Sequence, residues 1–476
     1  MGADPSKDTL RMPARQAVAA LVARARAAQG EFERWTQERV DEAVLACGWA
    51  IMRPENNRAL AEFAVRESGL GNVADKVAKN HRKTLGLLRD LQGVRTVGVI
   101  KDDPQRGVTE IARPVGVVAA ITPSTNPGAT PANQIINAVK CRNAIILAPS
   151  PKGYATCQKL LEFTHGALDR VGAPKDLVQL LPAPVTKEAT LELMRAADLV
   201  AATGSQANIR AAYSSGTPAI GVGMGNVVSI VDVSADLGDA AARIAFSKCF
   251  DNATSCSSEN AVVILAPVYA AMLAALQEQG GVMLDAGEKD ALRRLMFPEG
   301  KLGPAATAQS APRIAELAGL RRDAVRKARF LMVEETGAGP SFPFSGEKLS
   351  PVLAVYRARD FDDAFRITGA IYEYQGKGHS VSIHTRDDAQ VMRLGLEMPV
   401  ARVIVNQAHC IATGGSFDNG LPFSLSMGCG TWGRNSFSDN MHWRHFLNIT
   451  RISRVIPERV PSEEEIFRAY FAKHGR

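Results

Sequence analysis

The hydrophobic pattern changes rhythm along the chain. Over residues 13–92, Ala and Arg are dense and apolar positions recur every three or four residues, the period of an α-helix. Pro54 and the Gly69–Gly71 region interrupt that pattern, so the region reads as several helices. Short continuous apolar runs then take over. Gly116–Ile121 lies between Pro114 and Pro123, and Asn143–Ala148 ends at Pro149. Val178–Leu181, Leu199–Ala202 and Ala219–Val222 follow, with helix-like stretches near 131–141, 153–168, 187–195 and 206–215. Strands alternating with helices at this spacing predict right-handed βαβ units and a parallel sheet. Ligands of such sheets bind beyond the carboxyl ends of the strands.

A second α/β series starts at Val227–Val231 and includes Ala261–Leu265, Val352–Tyr356 and Val403–Val405. It predicts a second domain. Gly107–Ala112 and Leu447–Ile456 belong to neither series, and the latter alternates like a half-exposed strand. Unpaired edges are liabilities, so these segments are expected to serve subunit association. The fold class is α/β: a Rossmann-type parallel-sheet domain over 1–105 and 114–225, an α/β domain over 226–440, and a small oligomerisation element from 106–113 and 446–458.

Composition narrows the classes. The 476 residues are 46% hydrophobic and 22% charged, as in a globular chain long enough for two or three domains. No apolar run approaches the roughly 18 residues of a membrane span. Met1–Leu10 is polar without an apolar core, and no separate short amphipathic helix precedes the fold, so the cytoplasm is the expected compartment. The net charge of +7 is not gathered into a basic stripe interleaved with aromatics, which argues against nucleic acid and fits small anionic ligands. The seven cysteines form no Cys-x-x-Cys pair and no zinc-spaced cluster, so no metal is expected and the thiols should be free.

Five stretches could carry chemistry. Phe250–Asn260 is polar, rich in small residues and directly precedes a strand. Its Thr, Ser and Asn suit a loop entering a helix, with Glu259 as a first-turn acid. Cys256 at such a helix N-terminus would have a lowered pKa and act as a nucleophile. The competing reading is a small buried side chain in a turn. Cys249, in a helical apolar pattern, looks like core. In Thr122-Pro123-Ser124-Thr125-Asn126-Pro127-Gly128, Asn126 could donate to a developing oxyanion or form an Asx-turn before Pro127. In Thr203-Gly204-Ser205-Gln206, Ser205 reads as an N-cap whose helix could face a phosphate or nicotinamide, or as part of a plain turn. Gly221–Asn226 permits close backbone approach or an interdomain hinge. Gly428–Ser436 is a tight loop in which Cys429 reads as structural.

In order and spacing these segments resemble the aldehyde dehydrogenase superfamily, and within it the CoA-acylating branch. The matching residues are Thr122–Pro127, Thr203-Gly204-Ser205, Gly223-Met224-Gly225-Asn226, Phe250-Asp251-Asn252 with Cys256 and Glu259, Glu347–Pro351, Gly376–Ser380 and Gly428–Gly433. The resemblance covers roughly residues 15–460. It implies that Cys256 attacks the aldehyde carbon, that Asn126 and the Cys256 N–H stabilise the oxyanion, and that hydride leaves to NAD or NADP. It implies cofactor contacts from Thr122, Pro123, Ser150, Lys152, Thr203, Gly204, Ser205, Gly223, Gly225 and Glu347, with Glu347 at the nicotinamide ribose and Ser150 and Lys152 at the adenosine ribose. His379 is a further candidate near the pocket, or a satisfied structural histidine.

Hydrolytic members carry Glu-Leu-Gly-Gly between the domains, and that Glu activates water. Here the stretch is Gly-Val-Gly-Met-Gly-Asn, without an acid. The expected acceptor is therefore coenzyme A rather than water. Gly433 is followed by Arg434 where the branch has a second glycine, and Thr413–Gly420 also departs from the common form. An added cation suggests an anionic aldehyde, as in the acylating sulfoacetaldehyde dehydrogenases. Arg434 could equally serve a subunit interface or a CoA phosphate. The alternatives are an acylating acetaldehyde or propionaldehyde dehydrogenase, or a hydrolytic enzyme. A homodimer or homotetramer is expected.

Overall fold

The computed structural model describes residues 5–476; Met1–Asp4, the start of the polar N-terminal stretch, lie outside the described residues. The helical region resolves into Pro5–Phe32, Gln37–Met52, Pro54–Ser68 and Val73–Leu91. The breakers set its boundaries. Pro54 opens a helix, where its missing N–H is harmless, and Gly69 ends that helix in the left-handed conformation at φ 70°. Asn72 caps the helix Val73–Leu91 by accepting from the Asp75 N–H.

The first parallel sheet has five strands in the spatial order Val178–Leu180, Ala144–Pro149, Val117–Thr122, Leu199–Thr203, Ala219–Val222. Chain direction reverses its progress between Val117–Thr122 and Leu199–Thr203, which opens a crevice at their carboxyl ends. All six residues of both Val117–Thr122 and Ala144–Pro149 are buried, which explains why they read as unbroken apolar runs. Helices Pro5–Phe32 and Gln37–Met52 share this core through Val18, Leu21, Val40 and Val44.

The second parallel sheet has seven strands, in the order Gly281–Met283, Phe330–Glu334, Val352–Ala358, Glu259–Leu265, Val227–Val231, Val381–His384, Val403–Val405. Three of them, Gly281–Met283, Phe330–Glu334 and Val381–His384, were not singled out by the hydrophobic pattern. The third sheet is antiparallel and small. Val108–Pro114 pairs with Leu447–Ser453 on one side and with Gly98–Asp103 on the other. The strand Gly98–Asp103 is an addition to the two segments expected from sequence, and its Gly and Asp content hides it. Leu447–Ser453 keeps four consecutive exposed residues at its end.

The helix Val73–Leu91 joins the parts. Its Gly86 lies flat against Phe423 from the late loop, and an added Cβ would come within 2.2 Å of the ring. Phe423 is fully buried and cannot swing aside. Gly86→Ala is therefore expected to destabilise the protein by about 1–3 kcal/mol through overpacking, seen as a lowered midpoint of thermal or urea unfolding.

Candidate active site

A cleft of about 420 Å³ is lined from both parallel sheets. The first sheet contributes Thr122, Ser150 and Thr203 at the carboxyl ends of its strands, and the second contributes Thr254–Ser257 just ahead of Glu259–Leu265. Of the residues expected at the site, Thr122, Pro123, Asn126, Ser150, Thr203, Gly204, Ser205, Gly223, Cys256 and Glu347 share this one cavity. Gly225 and His379 lie directly behind Cys256. A Cβ on Gly225 would meet the Cys256 carbonyl oxygen at 2.4 Å and the His379 ring at 3.1 Å, so glycine is needed for the backbones to pass. Lys152 sits on the exposed turn Pro151–Gly153, off the cleft wall. Arg434 is exposed, left-handed at φ 57°, and also off the wall.

The environment of Cys256 differs from expectation. No helix starts there. Ser255–Ser258 forms a turn closed by the Ser258 N–H donating to Ser255 O at 3.0 Å, and Glu259 begins a strand. Glu259 is not a first-turn acid; it is buried, and its carboxylate accepts from the His409 N–H at 3.3 Å. Without a helix terminus, burial dominates and pushes the Cys256 thiol up to about 12, with nearby Glu347 adding to the shift. The resting group is a thiol. His379 Nε2 lies 3.4 Å from Cys256 Sγ, and His379 Nδ1 is 2.6 Å from Ser380 Oγ. Burial, and then the Arg402 cation, hold the His379 imidazole well below its ordinary pKa, so it is neutral. A neutral imidazole in contact with a thiol can accept the proton as the sulfur attacks, and the ion pair so formed offsets the burial cost each charge would pay alone.

The loop before the cysteine is strained. Asp251, Asn252 and Ala253 all have left-handed backbones, at φ 50°, 51° and 59°. Side chains disfavour that region, so the loop must be held from outside. Asp251 does this. Its Oδ2 accepts from Lys76 Nζ at 3.0 Å, Lys79 Nζ at 2.6 Å and Thr254 Oγ1 at 2.7 Å, and its Oδ1 accepts from the Asn72 N–H at 2.9 Å. Burial alone would raise the Asp251 carboxyl; Lys79 and Lys76 outweigh it and hold the group below its ordinary value.

Lys79 also settles the orientation of Asn126. Lys79 Nζ donates to Asn126 Oδ1 at 2.7 Å. With the carbonyl end taken, the amide Nδ2–H is left for the cleft, which is the end an oxyanion needs. The side chain is held by Lys79 rather than by an Asx-turn.

The donor set also fits a nucleotide cofactor. Thr122 Oγ1, Thr130 Oγ1 and Ser257 Oγ are buried on the wall without a protein partner, the state of hydroxyls that wait for a ligand. Ser205 caps the helix Gln206–Tyr213 by accepting from the Asn208 N–H. Glu347 is the one carboxylic acid among the described lining residues. Burial pushes it up to about 8 even though its Oε1 accepts from the Gly225 N–H at 3.3 Å.

Sequence reasoning missed the cations. Lys79, Arg82 and Lys83 line the cleft, and Lys76 and Lys79 hold Asp251. The signal was present: Lys76, Lys79 and Lys83 recur at three and four residues and occupy the buried face of the helix Val73–Leu91. Charged residues at core spacing mark a polar core.

The chain matches the aldehyde dehydrogenase family over residues 8–328. It is 64% identical over 463 residues to the acylating sulfoacetaldehyde dehydrogenase of Cupriavidus necator, covering 97% of this chain and 94% of that protein. It is 41% identical to the acylating sulfoacetaldehyde dehydrogenase of Bilophila wadsworthia, over 95% of this chain and 98% of that one. Among solved structures, the acetylating aldehyde dehydrogenase of Geobacillus thermoglucosidasius superposes with a TM-score of 0.91 at 36% identity, over 95% of this chain and 99% of that one.

If Lys79 acts through Asn126, the two are not independent. Asn126→Ala is expected to lower kcat about 100- to 1000-fold, and Lys79→Met to lower it by a similar factor. The double variant should lose little more than Asn126→Ala alone. Steady-state rates of the four proteins, with unfolding midpoints as controls, give the coupling.

Proposed function

The chain belongs to the aldehyde dehydrogenase family, and we propose that it is a CoA-acylating member that converts sulfoacetaldehyde to its acyl-CoA. The reaction is aldehyde + CoA + NAD(P)⁺ ⇌ acyl-CoA + NAD(P)H + H⁺. When bound, NAD(P)⁺ supplies the hydride acceptor. We assign its contacts to Thr122, Pro123, Ser150, Thr203, Gly204, Ser205, Gly223 and Glu347 on the cleft wall, with Gly225 behind it and Lys152 at its outer rim.

In this reading Cys256 Sγ attacks the aldehyde carbon while His379 Nε2, 3.4 Å away, takes the thiol proton. The oxyanion receives hydrogen bonds from Asn126 Nδ2 and the Cys256 N–H, with Lys79 behind Asn126. Loss of hydride leaves an acyl thioester on Cys256. The CoA thiol then displaces Cys256 and carries the acyl group away.

The choice of a thiol over water rests on the carboxylates. Glu347 is the single acid among the described lining residues, and its Oε1 is already bound to the Gly225 N–H. The stretch Gly221–Asn226, where hydrolytic members carry the Glu that activates water, holds no acid. The choice of sulfoacetaldehyde rests on the two acylating relatives that bear that substrate's name.

Residues 1–105 and 114–225 are assigned to cofactor binding and 226–440 to catalysis. The outer strands within 106–113 and 446–458 are assigned to subunit association in a homodimer or homotetramer. We assign the enzyme to the cytoplasm, a reading supported by seven free cysteines and by described helices too short or too polar to cross a membrane.

The test is a panel of sulfoacetaldehyde, acetaldehyde and propionaldehyde with NAD and NADP, each with and without CoA. NAD(P)H formation should require CoA, favour sulfoacetaldehyde and vanish in Cys256→Ala. Full-rate turnover without CoA would sink the acylating reading. Equal efficiency with the three aldehydes would sink the substrate assignment. Arg434→Gly should leave the preference unchanged, because Arg434 lies off the cleft wall.

A further inference from the structure

We propose that Arg82 binds the sulfonate of the substrate and so sets specificity for an anionic aldehyde; this rests on the sulfoacetaldehyde reading above. A sulfonate is a tetrahedral anion at every physiological pH. A pocket that takes it out of water must supply a cation with free N–H donors. Three cations line the cleft, all from one stretch of the helix Val73–Leu91: Lys79, Arg82 and Lys83.

Two of the three are already committed. Lys79 Nζ donates to Asn126 Oδ1 at 2.7 Å, Asp251 Oδ2 at 2.6 Å and Thr254 Oγ1 at 2.9 Å. Those are all three of its donors, and its charge is matched by a carboxylate. Lys83 Nζ donates to the carbonyl oxygens of Gly414 at 2.7 Å, Gly415 at 3.2 Å and Ile411 at 3.4 Å. It too has no donor left, and burial lowers it to about 7.

Arg82 is different. A guanidinium has five N–H donors and stays charged. Among the described residues, its one hydrogen bond runs from Nη2 to Ser416 Oγ at 2.6 Å. Its Nε is buried without a partner. Ser416 in turn donates to Asp418, and the guanidinium carbon stands 5.1 Å from the centre of the Phe417 ring. The fork is thus held by Ser416 and Phe417, with the Asp418 carboxylate behind Ser416, and its other Nη–H donors are unspent. A sulfonate in the cleft can take the Nη–H donors that Ser416 leaves free, two oxygens on the guanidinium fork being the pattern arginine favours.

This also accounts for the departure at Thr413–Gly420. Ser416 and Phe417, which hold Arg82, lie within that segment, and Lys83 anchors its Gly414 and Gly415 carbonyls. The added cation that the sequence suggested at Arg434 is supplied instead by Arg82, 352 residues upstream in the chain.

The experiment compares wild type with Arg82→Gln. The ratio of kcat/KM for sulfoacetaldehyde to that for propionaldehyde should fall about 100-fold, as expected when one partner of a desolvated charge pair is removed. Arg82→Lys, which keeps the charge and loses the fork, should lower the ratio about 10-fold. In parallel, ethanesulfonate, a non-reacting sulfonate, should raise the unfolding midpoint of wild type and not that of Arg82→Gln. An unchanged ratio in both variants overturns the proposal, as does an ethanesulfonate shift that survives in Arg82→Gln. A wild type that does not prefer sulfoacetaldehyde refutes the substrate reading instead. In that case a shift by ethanesulfonate that depends on Arg82 would still support a sulfonate site.

Discussion

The active site hangs on one buried carboxylate. Asp251 takes Lys76 and Lys79 on one oxygen and the Asn72 N–H on the other, while its own N–H donates to Asp75 Oδ2 at 2.7 Å. These contacts tie the helix Val73–Leu91 to the loop that presents Cys256. That loop carries three successive left-handed residues, each of which costs on the order of 1–3 kcal/mol. Such a backbone persists only where its surroundings over-determine it. Moving the loop away would leave buried charges without partners, so the triad fixes where the loop can lie. The strain in turn points Cys256 into the cleft from the amino end of a central strand.

The same helix divides the cleft by charge. At the reacting end, Cys256, His379 and Glu347 are all uncharged at rest, because burial disfavours the thiolate, the imidazolium and the carboxylate alike. Of the cations that line the cleft, Lys79 stands behind Asn126 and Arg82 beside the Thr413–Gly420 segment, while Arg402 lies behind His379 and donates to its carbonyl oxygen. In the proposed complex the anionic tail of the aldehyde lies at Arg82 and its charge stays away from the sulfur.

Much of this was legible from the sequence. The unbroken runs Val117–Thr122 and Ala144–Pro149 read as buried parallel strands because they are buried on both faces. Cys256, Asn126 and the glycines at 223 and 225 could be placed because each sits in a short segment of recognisable order. Two things were not legible. The environment of Cys256 depends on whether a helix or a strand follows Ser258, and small polar residues before an apolar run suit both. The cations lie far from the other site residues in the chain, and only the folded helix brings Lys79 against Asn126. Lys76, Lys79 and Lys83 look like a solvated face until their spacing is matched to the buried side of the helix. Arg434 stands in a loop of matching motif, with a left-handed backbone and an exposed side chain off the cleft wall.

The placement of Lys79 has a consequence for the chemistry itself. Attack on the aldehyde creates negative charge on oxygen in a region where the protein otherwise keeps its reacting groups neutral. In the proposed mechanism Asn126 meets that charge with an amide whose carbonyl end is already bound to an ammonium. Polarisation along a hydrogen-bonded chain strengthens each link, so the Nδ2–H is a better donor than an isolated amide. The ammonium stays far enough back to be matched by Asp251 in the resting protein. Cation and carboxylate thus balance before the reaction. Because the dipoles are already oriented by a fold that has absorbed their cost, the oxyanion requires no rearrangement to be stabilised.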